Sequence, residues 1–267
     1  MDVLLLHGLL LLPLAALLLY RCSPPFQYLC KVAFFNCWIV ALATVLSPFA
    51  AFRGRSVENM KLLRAALLPL KRLYGIRMRV RGSEQLQLQG PFVIVCNHQA
   101  SLDLMGMVEV IPERCVPIAK RELLYLGTVG WACWLSGIIF IDRHRRDAAI
   151  EVISHTASTM RDRQEQESHL GRALSGGTPL ILCVLQVPIV PIVISPYWDF
   201  FSSKEKRFSS GTCTIRVLPR VETRGLSPKD VPELTESVRQ AMAEALAEMS
   251  MRWDIKESGA GAVSCLC

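Results

Sequence analysis

Residues 32–52 run apolar between Lys31 and the basic Arg53-Gly54-Arg55, a length that reaches across the hydrocarbon of a bilayer. An earlier stretch, residues 3–20, is broken only by His7, Gly8 and Pro13. With 51% apolar residues and a mean hydropathy of +0.32, the chain carries more apolar surface than one soluble core uses, so part of it must face lipid. The start Met1-Asp2 lacks the basic residues usual in a cleaved signal. A cleaved signal is therefore the lesser reading, beside a span or a hairpin lying in the interface with the second stretch. Arg53, Arg55, Lys61 and Arg64 cluster after the second stretch, which places that end and the domain behind it in the cytoplasm.

Residues 1–55 therefore read as membrane-anchoring helices, residues 56–255 as one α/β domain and residues 256–267 as a disordered tail. From Arg77 onward, short apolar runs alternate with helical patterns, as in a sheet flanked by helices. The runs predict strands at 76–81, 92–96, 115–119, 137–141, 180–185, 189–194 and 212–218. Helices are expected at 57–72, 101–110, 121–135, 147–161 and 230–252, the last opened by Ser227-Pro228. The uncharged run 123–141 is long enough for a third span, but Gly127, Gly130, Ser136 and Gly137 punctuate it, so a helix feeding a strand is preferred. That helix either packs in the core or dips into the bilayer surface.

The chemistry-bearing pair is His98 and Asp103, in the run Asn97-His98-Gln99-Ala100-Ser101-Leu102-Asp103. Five residues apart, the two side chains diverge on a regular helix and on a strand alike, and meet only across a bend. The apolar run before His98 and the helical pattern after Asp103 supply that bend. A neutral imidazole there can take a proton from an attacking hydroxyl while the carboxylate fixes its tautomer. The alternative is structural: a hydrogen-bonded strand-end histidine and a first-turn acid facing the helix dipole.

A net charge of +7 and a pI near 9.0 suit anionic lipid or an anionic substrate. Nucleic acid is not expected, because no zinc-ligand spacing, RNA-binding signature or aromatic-basic interleaving is present. The ten cysteines lie scattered in apolar runs without CxxC pairing and read as reduced thiols. The terminal Cys265-Leu266-Cys267 lacks the form of a prenylation signal.

Taken in order, the His98 to Asp103 block, Gly137-Ile138-Ile139-Phe140-Ile141-Asp142-Arg143 and Val187-Pro188-Ile189-Val190-Pro191-Ile192-Val193 resemble the glycerolipid acyltransferases. Arg55-Ser56-Val57-Glu58-Asn59-Met60 and Cys115-Val116-Pro117-Ile118-Ala119-Lys120-Arg121-Glu122-Leu123 narrow the resemblance to the 1-acylglycerol-3-phosphate (lysophosphatidate) acyltransferases, and there to the vertebrate alpha branch. The resemblance implies a mixed α/β sheet and transfer of a fatty acyl group from acyl-coenzyme A to lysophosphatidate, giving phosphatidate. It implies the endoplasmic reticulum membrane, and neither a metal nor a bound cofactor, acyl-coenzyme A being a co-substrate. His98 matches the family's base and Asp103 its partner; no covalent intermediate is required, because the coenzyme thiolate leaves readily. Arg143 matches the position that holds the acceptor's phosphate, where a guanidinium fork suits a dianion; a solvated positive turn is the alternative. Lys120 matches a lysine that faces the phosphate or the coenzyme.

The resemblance breaks at residues 161–185. There the family carries a strand and a Glu-Gly-Thr-Arg block, and this chain has, over residues 161–179, a polar, glycine-rich segment that reads as a loop or local disorder. The missing arginine would leave Arg143 without its main partner on the phosphate, and Leu180 to Leu185 is expected to replace the lost strand. The competing expectation is a catalytically impaired relative that binds lipid or coenzyme without turnover, or pairs with an active enzyme. A serine or cysteine lipid hydrolase lacks support, since no G-x-S-x-G elbow occurs.

Overall fold

The computed structural model describes residues 2–87, 90, 92–100, 102–142, 172–175 and 187–261. Two helices lead, α1 (Asp2–Cys22) and α2 (Pro24–Arg53). α2 starts well before the apolar run at residue 32, because Pro24 and Pro25 occupy the first turn, where a missing amide hydrogen costs nothing and the fixed φ is already helical. Among the described residues α2 alone is long and apolar enough to cross a membrane; the apolar part of α1, Leu11–Cys22, is shorter.

One face of α2 is docked on the domain. Phe35, Ala43, Ser47 and Ala50 are buried at helical spacing. Trp38 Nε1 donates to the Ala66 carbonyl (3.2 Å), and Tyr74 donates through its hydroxyl to the Lys31 carbonyl (2.9 Å). Lys31 Nζ in turn donates to the Phe208 carbonyl (2.6 Å).

The domain is a seven-stranded sheet in the order β1-β9-β6-β2-β5-β3-β4. Its strands are β1 (Ile76–Arg81), β2 (Val93–Cys96), β3 (Cys115–Lys120), β4 (Ile139–Ile141), β5 (Arg172–Ser175), β6 (Ile189–Ile194) and β9 (Gly211–Val217). A separate hairpin, β7 (Phe201–Ser202) with β8 (Arg207–Phe208), was not expected from sequence. The sheet is mixed: β6 and β9 pair antiparallel, while the other neighbouring strands pair parallel. Every residue of β6 is buried, which is why Ile189-Val190-Pro191-Ile192-Val193-Ile194 is apolar throughout rather than alternating.

The helices are α3 (Met60–Leu73), α4 (Asp103–Val110), α5 (Gly127–Leu135) and α6 (Val231–Gly261). The expected helix 121–135 is split. Arg121–Tyr125 forms a 3-10 turn and α5 begins at Gly127, whose φ of +54° a side chain would resist. Where the two pieces meet, a Cβ at Gly130 would lie 2.2 Å from the Leu124 carbonyl oxygen, so only glycine allows the approach.

Other corrections concern the C-terminal half. The segment read as a loop contributes β5, inserted between β2 and β3 with Ala173 opposite both Val93 and Val116. The amide and carbonyl groups of β2 and β3 there need a partner strand, and a short run meets that need without an apolar signature. The expected strand 180–185 and helix 147–161 lie outside the described residues. α6 continues to Gly261, past the expected end at 252 and into the segment 256–267 read as disordered. Propagating an existing helix fixes one residue per hydrogen bond, so weak helix formers can be carried along. At its other end Ser227 and Asp230 form a capping box around Pro228.

Candidate active site

β2, β5, β3 and β4 run parallel, so Cys96, Lys120 and Ile141 finish on one edge of the sheet. That edge is where an open α/β sheet builds its sites. With neighbouring strands about 4.8 Å apart, the ends of β2 and β3 are separated by about 10 Å and those of β2 and β4 by about 14 Å.

The chain leaves β2 at Cys96 and enters α4 at Asp103, with residues 97–100 on the bend between them. Across this bend His98 Nδ1 lies 2.9 Å from Asp103 Oδ2. A carboxylate only accepts, so Nδ1 carries the proton and Nε2 is left as the basic nitrogen. The two partners differ sharply in exposure: the His98 side chain is 74% exposed and that of Asp103 only 5%. A buried carboxylate is tolerable where donors surround it. Gln99 and Ala100 donate their backbone N–H groups to Oδ2 at 2.5 and 3.1 Å, and the Tyr197 hydroxyl donates to Oδ1 at 2.7 Å.

The bend is sewn to the end of β6. Asn97 Nδ2 donates to the Ile194 carbonyl (3.0 Å) while the Ile194 N–H donates to Asn97 Oδ1 (2.8 Å). Gln99 Nε2 donates to the carbonyls of Ile194 (3.0 Å) and Ser195 (3.2 Å). An Asn97→Ala variant would strand the buried Ile194 N–H, and a loss of about 1–3 kcal/mol is expected in chemical denaturation of the detergent-solubilised chain.

Sequence reasoning missed Tyr197. Its ring is buried against Phe200 and Phe201, at centroid distances of 5.9 and 6.1 Å. Burial first, and then the Asp103 carboxylate, push its hydroxyl far above the ordinary phenol range, so it remains a donor. Strand order alone brings it here, since β6 lies beside β2; its place just beyond an apolar strand, in Ser195-Pro196-Tyr197, is the only local signal.

Two thiols border the site. Burial, with a lesser push from Asp103, raises Cys96 to about 11; burial also raises Cys213 to about 11, against a Ser195 hydrogen bond that lowers it. Neither is a thiolate at neutral pH, and neither is poised as a nucleophile. At pH 8 both should react with iodoacetamide roughly a hundredfold more slowly than a free thiol, as peptide mass mapping over time would read; rapid labelling of either would contradict their burial.

Lys120 is exposed at the end of β3, where it opens the 3-10 turn. Arg143, with its neighbours His144, Arg145 and Arg146, lies outside the described residues; the described chain leaves β4 at Asp142, on the same sheet edge as His98. Among the described residues no group of three His, Cys, Asp or Glu side chains is placed to hold a metal ion.

The family model described as Acyltransferase matches residues 77–195, the stretch from β1 to the end of β6. Human 1-acyl-sn-glycerol-3-phosphate acyltransferase alpha is 50% identical over 242 residues, which cover 87% of this chain and 86% of that protein. The chain belongs to the 1-acyl-sn-glycerol-3-phosphate acyltransferase family. The human beta form is 38% identical over 249 residues, covering 89% of this chain and 90% of the relative. The fold agrees with a solved member: the crystal structure of the 1-acyl-sn-glycerophosphate (LPA) acyltransferase PlsC from Thermotoga maritima superposes with a TM-score of 0.61 at 19% identity, over 85% of this chain and 99% of that one. As a family member the chain is an acyltransferase, and within the family's sheet the His98 to Asp103 block stands at the C-terminal end of β2.

Proposed function

We propose that this chain transfers a fatty acyl group from acyl-coenzyme A to the free hydroxyl of 1-acylglycerol 3-phosphate, giving phosphatidate. The carrying observation is an exposed imidazole whose inner nitrogen is pinned by a buried, multiply hydrogen-bonded carboxylate. His98 Nε2 takes the hydroxyl proton as the lipid oxygen attacks the thioester carbonyl carbon. The tetrahedral intermediate collapses, the carbon–sulfur bond breaks, and the coenzyme thiolate receives the proton from the imidazolium. Asp103 keeps the tautomer and stabilises the imidazolium without itself moving a proton.

Arg143 and Lys120 are assigned to the anionic groups of the two substrates, since β3 and β4 end on the same edge as His98. For the acyl chain there is a cavity of about 790 Å³ between α2, α3, α4, β3 and α5. Its walls are mainly apolar and include Leu104, next to Asp103, and Pro117 and Ala119 of β3. That volume falls in the range of ligand pockets, roughly 300–1,000 Å³. The names of the relatives support the acceptor, and the apolar α2 followed by a basic cluster supports attachment to a membrane, assigned to the endoplasmic reticulum with the catalytic domain on its cytoplasmic face.

A second reading, a member that binds without turnover, is favoured by the absence of the Glu-Gly-Thr-Arg block. β5 restores the sheet at that point, which supports the active reading at the level of the fold. Purified chain given labelled acyl-coenzyme A and lysophosphatidate should yield labelled phosphatidate. Saturable binding of both substrates with no product above background would establish the second reading instead.

A further inference from the structure

β1 (Ile76–Arg81) ends the sheet on one side. β9 pairs with one of its edges, and among the described residues no strand pairs with the other. An edge strand keeps a row of backbone N–H and C=O groups without a ladder partner. In β1 that row is uninterrupted: the strand, Ile-Arg-Met-Arg-Val-Arg, holds no proline, and its register with β9 runs unbroken from Ile76 opposite Gly211 to Arg81 opposite Arg216.

The two faces of the strand carry opposite chemistry. Arg77, Arg79 and Arg81 are all exposed on one face, about 6.6 Å from one to the next along the strand. Among the described residues no acidic side chain forms an ion pair with any of the three. Arg216 of β9, opposite Arg81, does have one, Glu248 of α6. α6 therefore supplies a counter-charge to β9 and none to β1. The next acid along the chain, Glu84, is exposed in the 3-10 turn Ser83–Leu86 beyond the strand. On the opposite face Ile76 is buried, and Met78 and Val80 lie half-buried against the core that includes Leu70 of α3 and Met105 of α4.

We propose that the free edge of β1 docks an extended segment of a partner protein in which acidic and apolar residues alternate, added to the sheet as a further strand. Main-chain hydrogen bonds would complete the backbone row. Cross-strand neighbours stand about 4.5–5.5 Å apart, so each arginine meets a carboxylate on one face while the apolar residues prolong the Met78 and Val80 face on the other. A lipid surface or a nucleic acid would use the charge and leave the backbone row unpaired. A second copy of this chain is disfavoured, because β1 beside β1 sets two arginine rows together, and that repulsion also keeps the free edge from pairing with itself. None of the three arginines belongs to the site around His98, so the proposal is independent of the acyl-transfer reading.

Fluorescence anisotropy of the detergent-solubilised full-length chain with a dye-labelled, end-capped peptide of four Val-Glu repeats tests the proposal. Saturable binding is expected, weakened at least about tenfold by Arg79→Glu and less than about threefold by Arg79→Lys. Both variants should melt as wild type does, since Arg79 is exposed. A peptide of the same composition, with its valines in one block and its glutamates in another, should bind at least about tenfold more weakly, because it cannot match both faces at once. In hydrogen exchange, saturating Val-Glu peptide should slow the amides of residues 76–81. Equal binding of the block peptide, or binding with unchanged exchange at 76–81, would reduce the arginine row to a general anion surface and overturn the proposal. Absence of saturable binding of the alternating peptide overturns it as well.

Discussion

Replacing His98 by alanine is expected to lower kcat/KM for acyl transfer by about three orders of magnitude, at the upper part of the range for removal of a general base. The alcohol would then have to surrender its proton to water while it attacks, and no other base is positioned by the bend. The fold should be untouched. His98 is largely exposed, and Asp103 keeps the donors from Gln99, Ala100 and Tyr197 when the imidazole is removed, so no buried charge is orphaned. A change in unfolding free energy within about 0.5 kcal/mol is expected. This combination separates catalysis from the alternative of a structural strand-end histidine, which predicts nearly full activity in His98→Ala. A radiolabelled product assay together with a denaturation curve decides between them.

The second large effect is expected at Tyr197. In Tyr197→Phe the ring can keep its packing on Phe200 and Phe201, but Asp103 Oδ1 loses the hydroxyl that orients it. A carboxylate free to turn no longer holds His98 in register, and small misplacements of catalytic groups cost rate steeply. We expect kcat to fall about tenfold with KM within twofold, because Tyr197 acts through Asp103 and touches no substrate. Stability should drop by about 1–3 kcal/mol, the cost of leaving a buried acceptor unsatisfied. Unchanged kcat with lowered stability would make Tyr197 a packing residue only. The hydroxyl's folded value lies above its unfolded value of 10, so its contribution to stability is complete below that pH and declines as the pH rises past it.

Strands β1 and β6 begin and end at 76–81 and 189–194 as expected, by two different signals: β6, buried throughout, is a continuous apolar stretch, whereas β1, at the edge of the sheet, alternates Ile76, Met78 and Val80 with three arginines. β5 gave no such notice. Arg172–Ser175 is a strand because β2 and β3 flank it, and the identity of a strand's neighbours is a long-range property. In the helices, periodicity located 121–135 correctly but not its break, which depends on the positive φ at Gly127 and the close pass of Gly130 over Leu124.

The site divides along the same line. His98 and Asp103 were legible because the bend that joins them is local and both neighbours of the bend have clear patterns. Tyr197 was not, being 94 residues from Asp103 in the chain. Arg143 was assigned by resemblance, and its place lies outside the described residues.

By itself the amino-acid order settled the apolar leading helices, the alternation of strands and helices, the imidazole–carboxylate pair and membership of the family. All of these rest on interactions between residues close in the chain or on ordered motifs. Only the folded chain decided which segment completes the sheet, which tyrosine braces Asp103 and which strand stands at the sheet's edge. Those depend on strand order and burial, and chain segments far apart acquire such relations only when the whole domain closes.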